Sequence, residues 1–136
     1  MGSAAVASDT VVLVDGDTLK YQGETIRLVD IDTPESFHSR CEHELVLALE
    51  AKARLRQLVD AGPIAIERHG KDRYGRTLAR VVVAGRDVGD TLLREGKALR
   101  YRPGQADKLA RLRQWCGPNA DLSDKWKSGL VSDSLK

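Results

Sequence analysis

Residues 10–32 read TVVLVDGDTLKYQGETIRLVDID, and the fold turns on how this stretch divides. β-branched residues crowd it, and two glycine-centred turn signals, Asp15-Gly16 and Gln22-Gly23, cut it into three. Short β-rich runs separated by such dipeptides form antiparallel meanders. The spacing predicts strands over about 11–15, 18–22 and 25–31. Acids gather where these strands turn. Asp15 and Asp17 flank Gly16, Asp30 and Asp32 flank Ile31, and Thr33-Pro34-Glu35 follows directly. Three carboxylates within six residues disfavour one another's charge unless something positive sits among them. The stretch 30–35 is therefore either a solvated turn or half of a metal site.

Working outward, CEHELVLALEAKARLRQLVDAG (41–62) repeats Leu45, Ala48, Leu49, Ala53, Leu55 and Leu58 near helical spacing, a stripe expected in the core, and Gly62-Pro63 stops it. PIAIERHG (63–70) and TLARVVVAG (77–85) are strand-like and flank KDRYGR (71–76). VGDTLLREG (88–96) reads as a short helix, and QADKLARLRQWCG (105–117) as a basic amphipathic one. Three strands, a helix, two strands and two more helices is the order of an α+β, mainly β, five-stranded Greek-key barrel of the OB type with about three helices. An open α+β sheet has the same order. A chain of 136 residues suits one core. The expected organisation is a flexible N-terminus or tag remnant over 1–9, one domain over 10–117, and a polar C-terminal tail over 118–136.

Hydrophobic residues at 41% and charged residues at 31% are ordinary for a soluble globular domain. Without a run of about 18 apolar residues, a membrane-spanning helix is excluded, and a small barrel suggests a monomer. The net charge of +2 hides an asymmetry. From Asp9 to Glu35 there are seven acids (Asp9, Asp15, Asp17, Glu24, Asp30, Asp32, Glu35) against Lys20 and Arg27. From Arg94 to Arg113 there are seven bases (Arg94, Lys97, Arg100, Arg102, Lys108, Arg111, Arg113) against Glu95 and Asp107. One stretch suits a cation and the other a polyanion, unless both are solvated faces. Cys41 and Cys116 lack CxxC spacing. They are either separate buried thiols or one disulfide closing a long loop, which requires an oxidising compartment. The start MGSAAVASDT carries no basic region and no apolar core of an intact signal peptide.

Three segments bear chemistry. In DGDT (15–18), Asp17 is the first residue past a turn and a candidate oxygen ligand for a hard cation. In IRLVDIDTPE (26–35), Arg27 sits inside an apolar strand, where an unpaired arginine is rare. Arg27 and Asp32 have opposite parity, so a regular strand would point them to opposite faces. For both to serve one site, the chain must bend before Asp32. Asp30 is expected on the outer face, in solvent. In KDRYGR, Tyr74 and Arg76 offer a hydroxyl and a guanidinium to a phosphate, which arginine grips bidentately. His38, His43 and His69 share no ligand spacing, and Trp115 and Trp126 have no aromatic neighbours. These read as surface and packing residues.

VDGDTLK, IRLVDIDTPE and DRYGRTLARV, in this order and spacing, resemble the staphylococcal nuclease (thermonuclease) family over about Val11–Trp115. The resemblance implies an OB-fold nuclease hydrolysing DNA and RNA with Ca²⁺, breaking the 5′ P–O bond to leave 3′-phosphate ends. Mg²⁺ or Mn²⁺ suits the same donors. By motif position, Asp17, Asp32 and the Thr33 carbonyl would bind the metal. Glu35 would take the place of the proposed general base, and Arg27 and Arg76 would bind the scissile phosphate. Arg73, Tyr74 and Tyr101 would contact the rest of the substrate. Departures are a loop SFHSRCEHEL (36–45) poor in lysine and Tyr101 standing alone where a tyrosine pair is expected. RC in that loop and WC near the domain end resemble a bacterial branch of the family. They imply a Cys41–Cys116 disulfide and a secreted or periplasmic location. A catalytically silent OB-fold nucleic-acid-binding or scaffold module is the alternative. The presence of Asp17, Arg27, Asp32, Glu35 and Arg76 together argues against it.

Overall fold

The computed structural model describes residues 11–126; the N-terminal stretch 1–9 and the tail from 127 onward lie outside the described residues. The meander forms as its sequence predicts, as β1 (Val11–Asp15), β2 (Thr18–Tyr21) and β3 (Glu24–Leu28), antiparallel neighbours in that order. The third strand is shorter than expected. It ends at Leu28, and after a two-residue turn a separate strand β4 (Ile31–Asp32) begins. Helix α1 (Glu42–Val59) leads to the hairpin of β5 (Ile64–Lys71) and β6 (Thr77–Val83). Then come β7 (Arg86–Asp87), α2 (Val88–Arg94), β8 (Leu99–Arg100) and α3 (Gln105–Cys116).

Hydrogen bonds link the strands in the order β1-β2-β3-β6-β5, with β3 and β6 parallel and the other neighbours antiparallel. β7 extends β6, and β4 pairs with β8 as a separate ribbon. This is the α+β, OB-type architecture with three helices that the element order implies. Its five long strands curl without closing: among the described residues, β1 and β5 at the two ends are not paired. OB barrels are characteristically left partly open in this way.

The core fills the inside of the curl. Leu19, Ile26, Leu28, Ile31, Val81, Val88 and Leu92 are buried there, joined by Leu55 and Leu58 from one face of α1. β6 alternates buried and half-buried residues along its whole length, as a strand with one face on the core must. α1 approaches the β1–β2 turn so closely that a Cβ on Gly16 would lie 2.8 Å from Ala51 Cβ. Gly16 is thus required between the two aspartates by space.

Two further contacts join the end of the chain to the loop before α1. Cys41 and Cys116 form a disulfide, with Cα atoms 5.9 Å apart, and no described cysteine is free. The Cys41 sulfur also caps α1 by accepting from the Glu44 amide at 3.2 Å. Residues 118–126, the first part of the polar tail, fold back along this junction. Arg40 Nε donates to the Leu122 carbonyl at 3.0 Å, and Arg113 Nε to the Ala120 carbonyl at 3.0 Å.

The disulfide spans 75 residues, a loop length for which the chain-entropy model gives about 4–5 kcal/mol. Cys41→Ser with Cys116→Ser is therefore expected to lower the unfolding free energy by a few kcal/mol in urea melts. Thiol titration of the unreduced, unfolded protein should find no free cysteine.

Candidate active site

The site begins where β3 ends. Arg27 sits opposite Thr18 across the β2–β3 ladder, which sets it beside Asp17. Its Nη1 donates to the carbonyls of Leu28 at 2.7 Å and Ile31 at 2.9 Å. Those two oxygens lie on either side of the Val29-Asp30 turn, so the guanidinium itself pins the bend. Asp30 adopts a left-handed backbone, φ 67°, a conformation that aspartate tolerates better than most side chains. Tyr101 N–H donates to its carbonyl at 2.9 Å, and Arg80 pairs with its carboxylate at 2.5 Å. Asp30 is therefore exposed, as expected, but engaged in holding the turn rather than merely solvated.

The bend swings Asp32 round to Arg27. Arg27 Nη2 lies 3.5 Å from Asp17 Oδ2 and 3.5 Å from Asp32 Oδ1. Asp17, 7% exposed, accepts from Thr18 Oγ1 at 2.9 Å and from the Thr33 amide at 3.0 Å. The next residues are tied down as firmly. Ser36 donates from Oγ at 2.6 Å to Asp15 Oδ1, and Ser39 Oγ donates to the Glu35 carbonyl. Glu44, 1% exposed, accepts from the backbone amides of Glu35 at 3.1 Å and Arg40 at 2.8 Å. Glu35 thus enters the cleft on a loop whose backbone is fastened at both ends.

Asp15, Asp17, Asp32 and Glu35 line one cavity of about 420 Å³ with Thr33, Arg27 and Arg76. The crowding is visible in their titration. Burial, with help from Asp17, pushes Asp15 up to about 6 against the hydrogen bonds of Ser36. Burial and the charge of Asp17 raise Asp32, against Arg27 and Arg111. Burial and then the charges of Asp15, Glu44, Asp32 and Asp17 raise Glu35.

Arg76 reaches the same cavity from the β5–β6 hairpin. Asp72 organises that turn by accepting from the amides of Tyr74 and Arg76, both at 2.9 Å, and from Arg76 Nε at 2.7 Å. The terminal nitrogens of Arg76 have no hydrogen-bond partner among the described residues. Beyond it opens a second cavity of about 650 Å³, lined by Arg73, Tyr74 and Tyr101 and sharing Arg27 and Arg76 with the first. Tyr74 is 68% and Tyr101 46% exposed. Arg73 donates to the Tyr74 hydroxyl at 2.8 Å, and the guanidiniums of Arg73 and Arg76 lie 5.0 and 5.4 Å from the Tyr74 ring centre. The nine residues to which the resemblance gives a site role therefore each line one of two adjoining cavities.

The profile of the staphylococcal nuclease homologue family matches residues 25–117. The chain belongs to that family. Endonuclease YncB of Bacillus subtilis (strain 168) is 39% identical over 122 residues, covering 84% of this chain and 51% of its own. SPbeta prophage-derived endonuclease YokF of the same organism is 36% identical over 122 residues, covering 84% of this chain and 36% of its own. A micrococcal nuclease of Shigella flexneri is 31% identical over 147 residues, covering 88% and 79%. The chain thus spans about half or less of the two Bacillus relatives.

The family profile begins after Asp17, so that residue is joined to the site by its DGDT motif and by geometry. Three further residues escaped the sequence reading. Asp15 stands in DGDT, where only Asp17 is a ligand candidate, and meets Ser36 across the fold, while Glu44 acts through two backbone amides and no local motif marks it. Arg111 belongs to the basic stretch assigned to a polyanion or to solvent, yet it is 6% exposed and turned inward, donating from Nε to Asp32 Oδ2 at 2.8 Å.

The donor set fits a hard cation. Among the described residues no three His, Cys, Asp or Glu side chains form a ready cage, so the two aspartates would need backbone or water oxygens to complete a shell. The buried Thr33 Oγ1 has no hydrogen-bond partner, and the carboxylates of Asp15, Asp32 and Glu35 are all held above their usual range. An unpartnered oxygen beside crowded carboxylates is a donor set that suits a hard cation.

The sign of the pH effect follows for Asp15. A carboxyl raised from 3.8 to about 6 favours its protonated form in the fold. Its contribution to stability is complete below the unfolded pKa and is lost as pH rises through 6. Discounted for partial exposure, the loss is about 1–2 kcal/mol. In chelator, Asp15→Asn should be more stable than wild type by that amount at pH 7.5 and equal to it near pH 4, measured by urea denaturation.

Proposed function

We propose that this chain is a Ca²⁺-dependent nuclease that hydrolyses phosphodiesters of DNA and RNA, breaking the 5′ P–O bond and leaving 3′-phosphate ends. The observation that carries the reading is the shared cleft. Two guanidiniums suited to a phosphate, Arg27 and Arg76, border the same cavity as the acids Asp17, Asp32 and Glu35. A scaffold module has no need of clustered carboxylates where it binds a polyanion, because they repel it.

In this reading Asp17, Asp32 and the Thr33 carbonyl would hold the ion, which supplies positive charge against the phosphoryl oxygens. Glu35 takes the proton of the attacking water; a raised pKa brings a carboxylate nearer the operating pH, which favours this role. The backbone bonds to Glu44 and Ser39 keep it from swinging away. Arg27 and Arg76 stabilise the charge that builds on the phosphoryl oxygens as water adds. Because that charge is larger in the transition state than in the substrate, they act mainly on kcat. Asp72 holds Arg76 by Nε and leaves its two terminal nitrogens for the phosphate. Arg73 and Tyr74 take a neighbouring phosphate, and Tyr101 stacks on a base of a single strand. The disulfide suits an oxidising compartment, extracellular or periplasmic.

Single-stranded DNA should be cut in CaCl₂, should survive in excess chelator, and should yield ends that a 3′-phosphatase can remove. Glu35→Gln and Arg76→Ala should each lower kcat by about 10²–10³ with smaller changes in KM. Tight DNA binding in Ca²⁺ without any cleavage would leave only the scaffold reading standing.

A further inference from the structure

Arg111 projects from α3 into the space behind the cleft, outside the first cavity and with no part in the chemistry above. A guanidinium this buried needs a full set of partners, and it has three. Nε donates to Asp32 Oδ2 at 2.8 Å, Nη1 donates to the Arg102 carbonyl at 3.1 Å, and the group lies 5.1 Å from the Tyr101 ring centre. For stability alone an apolar side chain would serve as well, since the desolvation of a buried ion pair offsets most of its attraction.

We propose that Arg111 is a positioning residue for Asp32. By fixing Oδ2 it leaves Oδ1 as the one oxygen presented to the cleft, in the place where Asp17 and Arg27 converge. The inference rests on the proposed function, in which Asp32 is a metal ligand. The two oxygens of Asp32 are divided between two arginines at unequal distance: Arg111 is at hydrogen-bond length, whereas Arg27 stands off at 3.5 Å. That division has a purpose. A carboxylate free to rotate would close a two-pronged pair with Arg27, and so withdraw both a metal oxygen and a phosphate-binding guanidinium. With Oδ2 held from behind, Arg27 stays only loosely paired and available to an anion. Carboxylate ligands of metals are commonly steadied by such outer partners, at a cost of about 10–100-fold when these are removed.

The same arginine also supports a wall of the second cavity. Its guanidinium backs the Tyr101 ring, and the Tyr101 amide holds the Asp30 carbonyl at the bend. The metal ligand and the stacking platform therefore share one support. α3 is fixed in turn by Cys116, bonded to Cys41 at the start of α1.

Positioning and simple charge predict opposite results. Removing a nearby positive charge should tighten Ca²⁺ binding, whereas releasing Asp32 should weaken it. Wild type, Arg111→Met and Arg111→Lys are compared by calorimetric titration with CaCl₂, by thermal melting and by cleavage kinetics on single-stranded DNA. Lysine keeps the charge but cannot meet Asp32 and the Arg102 carbonyl at once. Both variants are expected to melt cooperatively, to bind Ca²⁺ about tenfold more weakly and to lose about 10–100-fold in kcat, with KM for DNA within about twofold. If Arg111→Met does not fold, Arg111→Lys carries the comparison. Ca²⁺ affinity equal to or tighter than wild type in whichever variant folds overturns the inference, and so does failure of both to fold, which would mark a purely structural arginine. Wild type that neither binds Ca²⁺ nor cleaves overturns the nuclease reading itself.

Discussion

One guanidinium holds the architecture of the cleft together. Arg27 closes the chain on itself by binding the carbonyls of Leu28 and Ile31, and with its other nitrogen it faces Asp17 and Asp32. Remove it and the turn at Val29-Asp30 loses its internal brace, while two half-buried carboxylates lose their shared counter-charge. The desolvation of Arg27 is offset by these four contacts together, none of which would suffice alone. The residue that bends the strand is thus also the one the bend delivers to the site. Folding of this segment and assembly of the cleft are the same event.

Around that point the protein solves a problem of conflicting charge. Four acids face one cavity, and three of them, Asp15, Asp32 and Glu35, are held above their ordinary titration range. The scaffold that restrains them joins backbone amides and buried side chains to the ion pairs of Arg27 and Arg111. Ser36 serves Asp15, the Thr33 amide serves Asp17, and Glu44 fastens the loop that carries Glu35. Such contacts fix position without fully neutralising charge, which leaves the cavity electrostatically suited to a cation and its borders to a phosphate.

Much of this was legible because it is local. The two turn dipeptides cut the meander at the right places, and the stripe of the first helix marked its buried face at Leu45, Ala48, Leu55 and Leu58 but not at Leu49 and Ala53, which are exposed. The parity of Arg27 and Asp32 showed that a bend had to intervene. Its nature was not legible: β-branched residues run on through Val29 to Ile31, and nothing nearby announces that the strand stops at Leu28. Besides Arg27, the turn is held by Arg80 and Tyr101, residues from β6 and from beyond β8, so part of its cause lies far along the chain. Arg111 was hidden for the same reason. In sequence it is one base among seven between Arg94 and Arg113, and only the packing of α3 turns it inward while its neighbours stay outside. The openness of the barrel likewise depends on how far β1 and β5 are splayed, which no spacing encodes.

The bond between Cys41 and Cys116 makes a covalent ring of nearly everything from the first helix to the last. The exposed hairpin at Lys71–Gly75, which offers the substrate-facing Arg73 and Tyr74, lies inside that ring. Exposed tips of this kind are where proteases cut first. A single cut there cannot release a fragment: the half bearing Asp17, Arg27, Asp32 and Glu35 and the half bearing Arg76 and Arg111 remain one molecule. The most vulnerable part of the binding surface is placed where its severance does the least harm, and a nicked chain keeps every group of the cleft tethered within reach of its partners.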